Sequence, residues 1–231
     1  MKTLIFVPAR SGSKGIKNKN LIKLGNKKLI DYTLDLISEL DKNFQTFVST
    51  DSKIILNHCS KKGFQNKYLR PKNLSGDTST IIDTIKHALE WLKLKNNNLP
   101  NIIILLQPTS PFRNIFEIKK AIKTFFNKKC SSMVGVTEMI EHPRECVIKK
   151  NKNWEFLINK QPNKKRRQDY ENDYYFIDGS FYMAKTDFLI KNNSFVVENK
   201  SFLYKFSNKY SIDIDDIHDL KVAKSIASTI K

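Results

Sequence analysis

Cysteine is scarce in this chain of 231 residues, which contains only Cys59, Cys130 and Cys146. Three cysteines at wide spacings form neither a disulfide framework nor a paired set of zinc ligands. The four histidines are dispersed in the same way. We therefore expect reduced, structural cysteines, and a metal centre of histidine and cysteine has no support in the sequence.

Long hydrophobic runs are also missing. The longest, residues 4–8 and 102–106, are far shorter than the roughly 20 residues that span a bilayer. The beginning of the chain lacks the charged, apolar and small-residue pattern of a secretory signal. With 40% hydrophobic residues and 15 phenylalanines, the chain can nevertheless build a full core. These features predict a cytoplasmic protein with no membrane partner.

Acidic residues are outnumbered, at 23 against 41 lysines and arginines, which gives a net charge of +18. A charge of this size is typical of a nucleic-acid-binding module, our non-enzyme alternative. Only six of the 41 cations are arginine, however, and asparagine occurs 22 times, a composition typical of AT-rich coding bias. No binding motif or aromatic platform accompanies the charge. We interpret most of it as surface composition and expect no nucleic-acid partner.

Short apolar runs alternate with amphipathic segments over the first 138 residues. We predict strands at 4–8, 44–50, 68–69, 102–107 and 132–137, and helices at 29–40, 52–61, 80–95 and 115–127. This alternation predicts an α/β fold with a mainly parallel sheet covered on both faces. Because ligands bind at the carboxyl ends of such strands, the loops after Val7, Thr50 and Gln107 are the candidate sites.

The pattern changes over residues 139–175, which are polar and charged. They contain short strand-like pieces at 146–149 and 154–157 and the basic run 164–167. A segment of this length without helical periodicity is typical of an arm or a lid. Sheet and helix patterns resume at 176–184 and 216–230. The prediction is one domain, residues 1–231, with an arm insertion at about 139–175.

The loop at residues 8–20 is basic and rich in small residues. Gly12, Gly15, Ser11 and Ser13 supply backbone N–H groups that can form an anion nest. The cations around them are Arg10, Lys14, Lys17 and Lys19. This composition predicts a phosphate site, with an ordinary basic strand-to-helix loop as the alternative. With only two glycines, the loop matches neither the P-loop nor the dinucleotide fingerprint.

Two aspartates alternate with isoleucines near the end of the chain, in Ser211-Ile212-Asp213-Ile214-Asp215. In a strand, Asp213 and Asp215 point the same way while Ile212 and Ile214 face the core. Paired carboxylates of this kind suit Mg²⁺, which takes its other ligands from substrate phosphates and water. The alternative is that Asp215 or Asp216 caps the last helix, which explains one aspartate but not both alternating ones.

Four motifs occur in order over nearly the whole chain. They are Pro8-Ala9-Arg10-Ser11-Gly12-Ser13-Lys14-Gly15 with Lys19-Asn20, Leu69-Arg70-Pro71, Leu106-Gln107-Pro108-Thr109-Ser110-Pro111-Phe112-Arg113, and Ser211-Ile212-Asp213-Ile214-Asp215. Together they resemble the acylneuraminate cytidylyltransferases, the family of CMP-sialic acid and CMP-nonulosonic acid synthetases. Four motifs in register are far more specific than any one of them.

The resemblance implies a Rossmann-like, three-layer α/β fold of the nucleotide-diphospho-sugar transferase type, with a protruding dimerisation arm. It also implies a reaction in which the anomeric hydroxyl of a nine-carbon 2-keto sugar acid attacks the α-phosphorus of CTP and releases pyrophosphate. The implied catalytic residues are Arg10, Lys14 and Lys19 on the triphosphate, and Asp213 and Asp215 on Mg²⁺ or Mn²⁺. The implied nucleotide-binding residues are Arg10, Ser11, Gly12, Ser13, Asn20, Arg70, Ser79 and Gln107, with Arg70 selecting cytosine.

The implied sugar-binding residues are Gln107, Arg166, Arg167, Gln168 and Asp178. In this family the arm reaches across a dimer, so the resemblance implies a homodimer in which Arg166 or Arg167 completes the neighbouring site. A solvated basic hairpin is the alternative for this run.

The chain departs from the family at residues 178–182. Many members read Asn-Gly-Ala-Ile-Tyr there with an arginine shortly before, whereas this chain has Asp178 and no arginine between Arg167 and Asp178. An anionic Asp178 near a sugar carboxylate is unfavourable unless it binds hydroxyl or amide groups. Sialic, legionaminic and pseudaminic acids therefore all stay open, and another acidic sugar such as Kdo is the alternative substrate.

Overall fold

The computed structural model describes residues 1–13, 15–96, 99–139, 141–158, 174–207 and 211–230. Its strands are β1 (Thr3–Pro8), β2 (Lys23–Leu24), β3 (Lys27–Lys28), β4 (Gln45–Ser49), β5 (Ile102–Leu105), β6 (Ser132–Glu138), β7 (Val147–Lys150), β8 (Asn153–Phe156), β9 (Tyr175–Lys185) and β10 (Phe202–Lys205). Its helices are α1 (Leu29–Ser38), α2 (Lys53–Lys61), α3 (Ile81–Asn96), α4 (Ile115–Asn127), α5 (Thr186–Asn192) and α6 (Ile217–Thr229). Short 3₁₀ turns lie at Lys19–Leu21, Lys72–Leu74 and Pro143–Glu145.

A six-stranded sheet in the order β10-β6-β9-β5-β1-β4 forms the centre of the fold. β1 pairs in parallel with β4 and β5, and β6 pairs in parallel with β10. β9 lies antiparallel between β5 and β6. The prediction of a mainly parallel sheet is therefore confirmed, with one antiparallel strand in its middle.

Alternating side chains of the strands divide the core into two layers. Ile5 and Val7 of β1 pack with α1, α2 and α4, whereas Leu4 and Phe6 pack with α3 and α5 on the other face. This division follows from the period of two in a strand. Helices on both faces of the sheet make the three-layer α/β/α arrangement that the sequence predicts.

Several predicted boundaries are corrected. β5 ends at Leu105, two residues before its predicted end. No strand is assigned to residues 68–69. The next residue, Arg70, makes one backbone hydrogen bond, from its N to the carbonyl oxygen of Thr50 at 2.8 Å. β10 and α5 are not predicted from the sequence, because four and seven residues are too short to show a clear period. The small β2–β3 hairpin is also absent from the prediction. Among the described residues, none of the helices has the length and apolar character needed to cross a membrane.

Candidate active site

A cavity of about 340 Å³ opens at the carboxyl ends of the parallel strands, where loops from β1 and β5 meet residues 211–215. It is lined by Pro8, Arg10, Gly12, Ser13, Lys19, Asn20, Arg70, Leu74, Gly76, Asp77, Ser79, Ile81, Thr84, Gln107, Pro108, Thr109, Asp213 and Asp215. Ten of these residues belong to the predicted site, although they come from four distant parts of the chain. The sheet brings them together because its parallel strands end at one edge.

Local contacts hold the first loop, residues 8–20, in place. The side chain of Asn20 is buried and donates from Nδ2 to the carbonyl of Arg10 at 2.9 Å. Ser11 donates from its backbone N and its Oγ to the two oxygens of Asp51, at 2.7 and 2.6 Å. A Cβ at Gly15 would lie 2.4 Å from the carbonyl oxygen of Asp215, so only glycine allows this close approach.

Three cations approach the cavity from different sides. Arg10 forms an ion pair with Asp77, with Nη1 and Oδ1 3.0 Å apart. Lys19 donates from Nζ to the carbonyl of Ile214 at 2.8 Å and to Oδ1 of Asp215 at 3.1 Å. Its side chain is only 11% exposed. The first loop and residues 211–215 are therefore joined by a lysine whose charge lies beside a carboxylate.

Arg70 is the most buried of these cations, at 5% exposure. Its Nε donates to Ser49 Oγ at 3.0 Å, and its Nη2 donates to the Ser49 carbonyl. Burial lowers the pKa of Arg70 from its usual value, and the charge of nearby Asp51 partly opposes this shift. The Arg70 guanidinium is thus held at the end of β4 by its two hydrogen bonds to Ser49.

The two predicted metal carboxylates differ strongly in environment. Burial raises the pKa of Asp213; a hydrogen bond with the Thr109 side chain opposes this rise, and the negative charge of Asp215 adds to it. Its Oδ1 is buried and has no hydrogen-bond partner. The side chain of Asp215, in contrast, is 79% exposed. The site therefore presents one desolvated carboxylate and one solvated carboxylate to the same cavity.

The prediction of a strand around these aspartates is wrong, because no strand is assigned to residues 211–215. The predicted alternation holds, because Ile212 and Ile214 pack in a small cluster with α6 while both aspartates line the cavity. The capping alternative applies to Asp216, whose side chain accepts from the backbone N of His218 and Asp219 at the start of α6. The cap thus uses Asp216 and leaves Asp213 and Asp215 to the cavity.

A half-buried arginine organises the loop after β5. Arg113 donates to the carbonyls of Gln107, Ser110 and Ser180 and to Thr33 Oγ1. Burial lowers its pKa to about 10, while Asp213 and Asp178 oppose the shift. Arg113 therefore stays cationic at neutral pH, and its positive charge partly balances the negative charges of Asp213 and Asp178.

Some predicted residues do not line the cavity. Ser11 points to Asp51, and Asp178 is buried at 6% exposure with bonds to Ser180 and Ser211. The predictions for Lys14, Arg166, Arg167 and Gln168 lie outside the described residues. Four residues that contact or line the site were not predicted from the sequence, namely Asp51, Asp77, Thr109 and Arg113. Of these, Thr109 and Arg113 stand in the quoted third motif, whereas no pattern marks Asp51 or Asp77 as partners of the first loop.

A family model described as cytidylyltransferase matches residues 4–229 of this chain. The chain belongs to the cytidylyltransferase family. It is similar to an N-acylneuraminate cytidylyltransferase of Streptococcus agalactiae serotype III, with 30% identity over 222 residues, 95% of this chain and 52% of the relative. The chain thus spans about half the length of these streptococcal relatives.

Two other relatives match over most of both chains. A pseudaminic acid cytidylyltransferase of Campylobacter jejuni is 28% identical over 225 residues, 97% of this chain and 95% of the relative. A CMP-N,N'-diacetyllegionaminic acid synthase of Legionella pneumophila is 32% identical over 223 residues, 93% of this chain and 91% of the relative. The resemblance stated from the four motifs is confirmed.

The fold is similar to a solved structure of CMP:2-keto-3-deoxy-manno-octonic acid synthetase complexed with CTP. The TM-score is 0.71, the identity is 13%, and the match covers 99% of each chain. This likeness confirms the Rossmann-like α/β fold that the resemblance implies, while the dimerisation arm stays a prediction.

Proposed function

We propose that this chain transfers CMP from CTP to the anomeric hydroxyl of a nonulosonic acid and releases pyrophosphate. The observation that carries the proposal is the cavity of a cytidylyltransferase-family chain in which Arg10, Lys19 and Arg70 face Asp213 and Asp215. Cations suit a triphosphate, and carboxylates suit the divalent metal that accompanies it.

Arg10 and Lys19 are the proposed partners of the triphosphate among the described residues. Each is already paired with a carboxylate, Arg10 with Asp77 and Lys19 with Asp215. The incoming phosphates would compete with Asp77 for the Arg10 guanidinium. Charge that develops on the α-phosphoryl oxygens and on the leaving pyrophosphate would then be stabilised by groups already in place, which is the main requirement in such transfers. Lys14 stays a predicted third cation.

Asp213 and Asp215 fit a Mg²⁺ or Mn²⁺ ion. The Oδ1 of Asp213 is buried and has no hydrogen-bond partner, so this oxygen can bind a metal ion. Across the described parts of the chain, no three His, Cys, Asp or Glu side chains cluster to hold a metal by themselves. Mg²⁺ commonly takes one or two carboxylates and completes its shell with phosphate oxygens and water. When bound with CTP, the ion would neutralise phosphate charge and lower the pKa of the attacking hydroxyl.

Arg70 is the proposed determinant of the base. It lines the cavity, is held by Ser49, and lies among the buried groups rather than at the open rim. A fixed guanidinium is a directional donor that can bond the carbonyl and ring nitrogen of cytosine. Asn20 and Ser79 line the same cavity, where Asn20 shapes the first loop and Ser79 bonds the carbonyl of Asn73 at 2.9 Å.

The acceptor sugar is a nine-carbon 2-keto acid of the sialic, legionaminic or pseudaminic type. The names of the relatives support this range, and their similar identities favour no single member. Gln107 lines the cavity at the end of β5 and is the proposed contact from the described residues. Arg166, Arg167 and Gln168 of the arm are the proposed partners of the sugar carboxylate.

We also propose a homodimer in which the arms are exchanged. One face of the β7–β8 hairpin carries Val147, Trp154 and Phe156, and all three are exposed in the single chain. Trp154 and Phe156 contact each other edge to face, with ring centroids 5.4 Å apart. An apolar strip of this kind on a projecting hairpin is typical of an interface. A second copy would bury it and bring its arm residues to the neighbouring cavity.

The proposed location is the cytoplasm, since the reaction consumes CTP and the described structure has three free cysteines. The test of the function is pyrophosphate release from CTP with a panel of acidic sugars, namely N-acetylneuraminic, legionaminic, pseudaminic and Kdo acids. Release with one nine-carbon acid supports the proposal and names the substrate. Release with Kdo alone would replace the acceptor, and release with none of them would refute the transfer.

A further inference from the structure

An irregular stretch of β9 lies beside Asp213, one of the two carboxylates of the cavity. Val134 of β6 pairs with Tyr182 of β9, but Val136 pairs with Ile177. Residues 178–181 therefore lie opposite the single residue Gly135 and form a bulge of four residues. Gly179 at its centre has a positive φ of 73°, which favours glycine. Bulges of this kind redirect side chains near sites, so the contacts of its residues define its role.

Asp178, the first residue of the bulge, makes its contacts with the protein itself. Its Oδ1 accepts from the backbone N of Ser180 at 3.0 Å and from Ser180 Oγ at 2.6 Å. Its Oδ2 accepts from Ser211 Oγ at 2.8 Å. Both oxygens are thus engaged, and one of them holds the residue that begins the segment 211–215.

The same segment is anchored again beyond Asp213. Ile214 is fully buried, its N–H donates to the carbonyl of Thr109 at 2.8 Å, and its carbonyl accepts from Lys19. Asp213 therefore lies between one anchor at Ser211 and another at Ile214. A Cβ at Gly179 would come within 3.1 Å of Asp213 Oδ2, so the bulge is in direct contact with the carboxylate it borders.

The bulge is also tied to the loop after β5. Arg113 donates to the Ser180 carbonyl and to the Gln107 carbonyl, and its charge lies near both Asp178 and Asp213. Asp178, Ser180, Arg113 and Ser211 form one connected polar network that ends at the segment carrying Asp213. Networks of this kind fix geometry more strongly than their separate bonds.

We propose that Asp178 is a positioning residue for the metal carboxylate Asp213, which it orients through Ser211 and the bulge, rather than a contact to the sugar. The inference rests on the proposed metal role of Asp213 and Asp215. It explains why a carboxylate at this position is compatible with an anionic sugar, since its oxygens are turned to two serine hydroxyls and a backbone N–H.

The test is Mn²⁺ binding in the presence of saturating CTP, measured by electron paramagnetic resonance without any sugar. Asp178→Ala and Ser211→Ala are each expected to raise the Kd for Mn²⁺ by about 10- to 100-fold, the usual effect of losing an outer-shell partner. The double variant is expected to be no worse than the poorer single variant, because both remove the same bond. Asp178→Asn, which keeps polar atoms in place, is expected to recover most of the affinity.

Controls separate this role from a merely structural one. Ser201→Ala removes a half-buried serine with bonds to Ser132 and Phe195, far from the cavity, and is expected to leave Mn²⁺ binding unchanged. Ser211 itself is exposed, so Ser211→Ala tests the inference even where Asp178→Ala fails to fold.

Kinetics with the sugar provide the second measurement. The KM for the sugar is expected to change less than about twofold in Ser211→Ala and Asp178→Ala, while kcat at low metal falls with the loss of affinity. A rise in the sugar KM of Asp178→Ala with unchanged Mn²⁺ binding would overturn the inference in favour of a sugar contact. Unchanged Mn²⁺ binding in Ser211→Ala would also overturn it. Failure of the unaltered protein to bind Mn²⁺ with CTP would instead remove the proposed metal site, and the inference with it.

Discussion

The cavity and the β7–β8 hairpin differ in how far their side chains are exposed and held by the rest of the chain. At the cavity, Arg70 and Lys19 are buried or nearly so, and each donates to a backbone carbonyl of the same chain. On the hairpin, Trp154 and Val147 are 62% and 55% exposed. The cavity is thus prearranged within one chain, whereas the hairpin presents apolar groups that nothing in the chain covers among the described residues.

The two regions differ in the step that stabilises their side chains, which is folding for the cavity and assembly of the proposed dimer for the hairpin. Fixed charges at the cavity are oriented during folding, so the proposed binding of CTP would not have to order them. In the proposed dimer, a second copy would cover the apolar surface of the hairpin, so the stabilisation of that surface would depend on assembly. Changes at the cavity should therefore act on chemistry and nucleotide affinity, and changes on the hairpin should act through protein concentration.

The largest expected effect is at the solvated carboxylate. Asp215→Ala should lower metal-dependent kcat by about 100-fold or more, because it removes one of the two proposed carboxylate ligands of the metal ion that accompanies the triphosphate. The fold should persist, since the Asp215 side chain is mostly exposed. The measurement is pyrophosphate release together with thermal unfolding. The neighbouring Asp216→Ala is the matched control, since it removes a helix cap and should lower Tm while keeping turnover; equal turnover in both variants would contradict the metal assignment.

Arg70 tests whether the cavity is as prearranged as its contacts indicate. Arg70→Ala should weaken CTP binding by about tenfold or more and destabilise the fold by about 1–3 kcal/mol, because Ser49 loses charged donors in a buried place. Arg70→Lys should recover only part of the affinity, since lysine lacks the planar fork. Calorimetric titration with CTP and UTP is the measurement. If both nucleotides lose affinity equally, Arg70 does not select the base.

Trp154 tests the hairpin as an interface. Trp154→Ser should raise the dimer Kd by about 10- to 100-fold, as for a central aromatic of an interface. Activity should fall at low protein concentration and recover at high concentration. Sedimentation velocity over a concentration series is the measurement. Ile148→Ser, on the other face of the same hairpin, is the control; if it disrupts assembly as strongly as Trp154→Ser, the apolar face has been misidentified.

The smallest expected effect is a gain in stability. Because burial raises the pKa of Asp213, its carboxylate form costs stability at neutral pH. Asp213→Asn should therefore unfold at a slightly higher temperature than the unaltered protein at pH 7, although it loses turnover. The gain should shrink as the pH falls through the raised pKa, where Asp213 becomes neutral by itself. Thermal unfolding over a pH series checks this, and an equal gain at every pH would show that charge is not its cause.

Much of the site was predictable because local patterns carried it. The first loop has small and basic residues whose backbone and charge suit phosphate, and Asp213 and Asp215 alternate with isoleucines that must be buried. Short elements such as α5 and β10 were not predicted, because a hydrophobic period can be recognised only over more residues. Asp51 and Asp77 were not predicted for another reason. Their partners Ser11 and Arg10 lie 40 or more residues away, and no local pattern records such a pairing.

Arg70, Ser79 and Gln107, at the carboxyl edge of the sheet, were predicted only from the resemblance to the family. The sequence by itself determined the alternation of strands and helices and the mainly parallel sheet. These follow from hydrophobic period and strand direction, which are local properties. Only the tertiary structure decided which cavity carboxylate is the less exposed, which arginine is fixed, and that Asp178 turns to Ser180 and Ser211 instead of the cavity. Those outcomes depend on desolvation and on contacts between residues far apart in the chain, and neither is encoded in spacing.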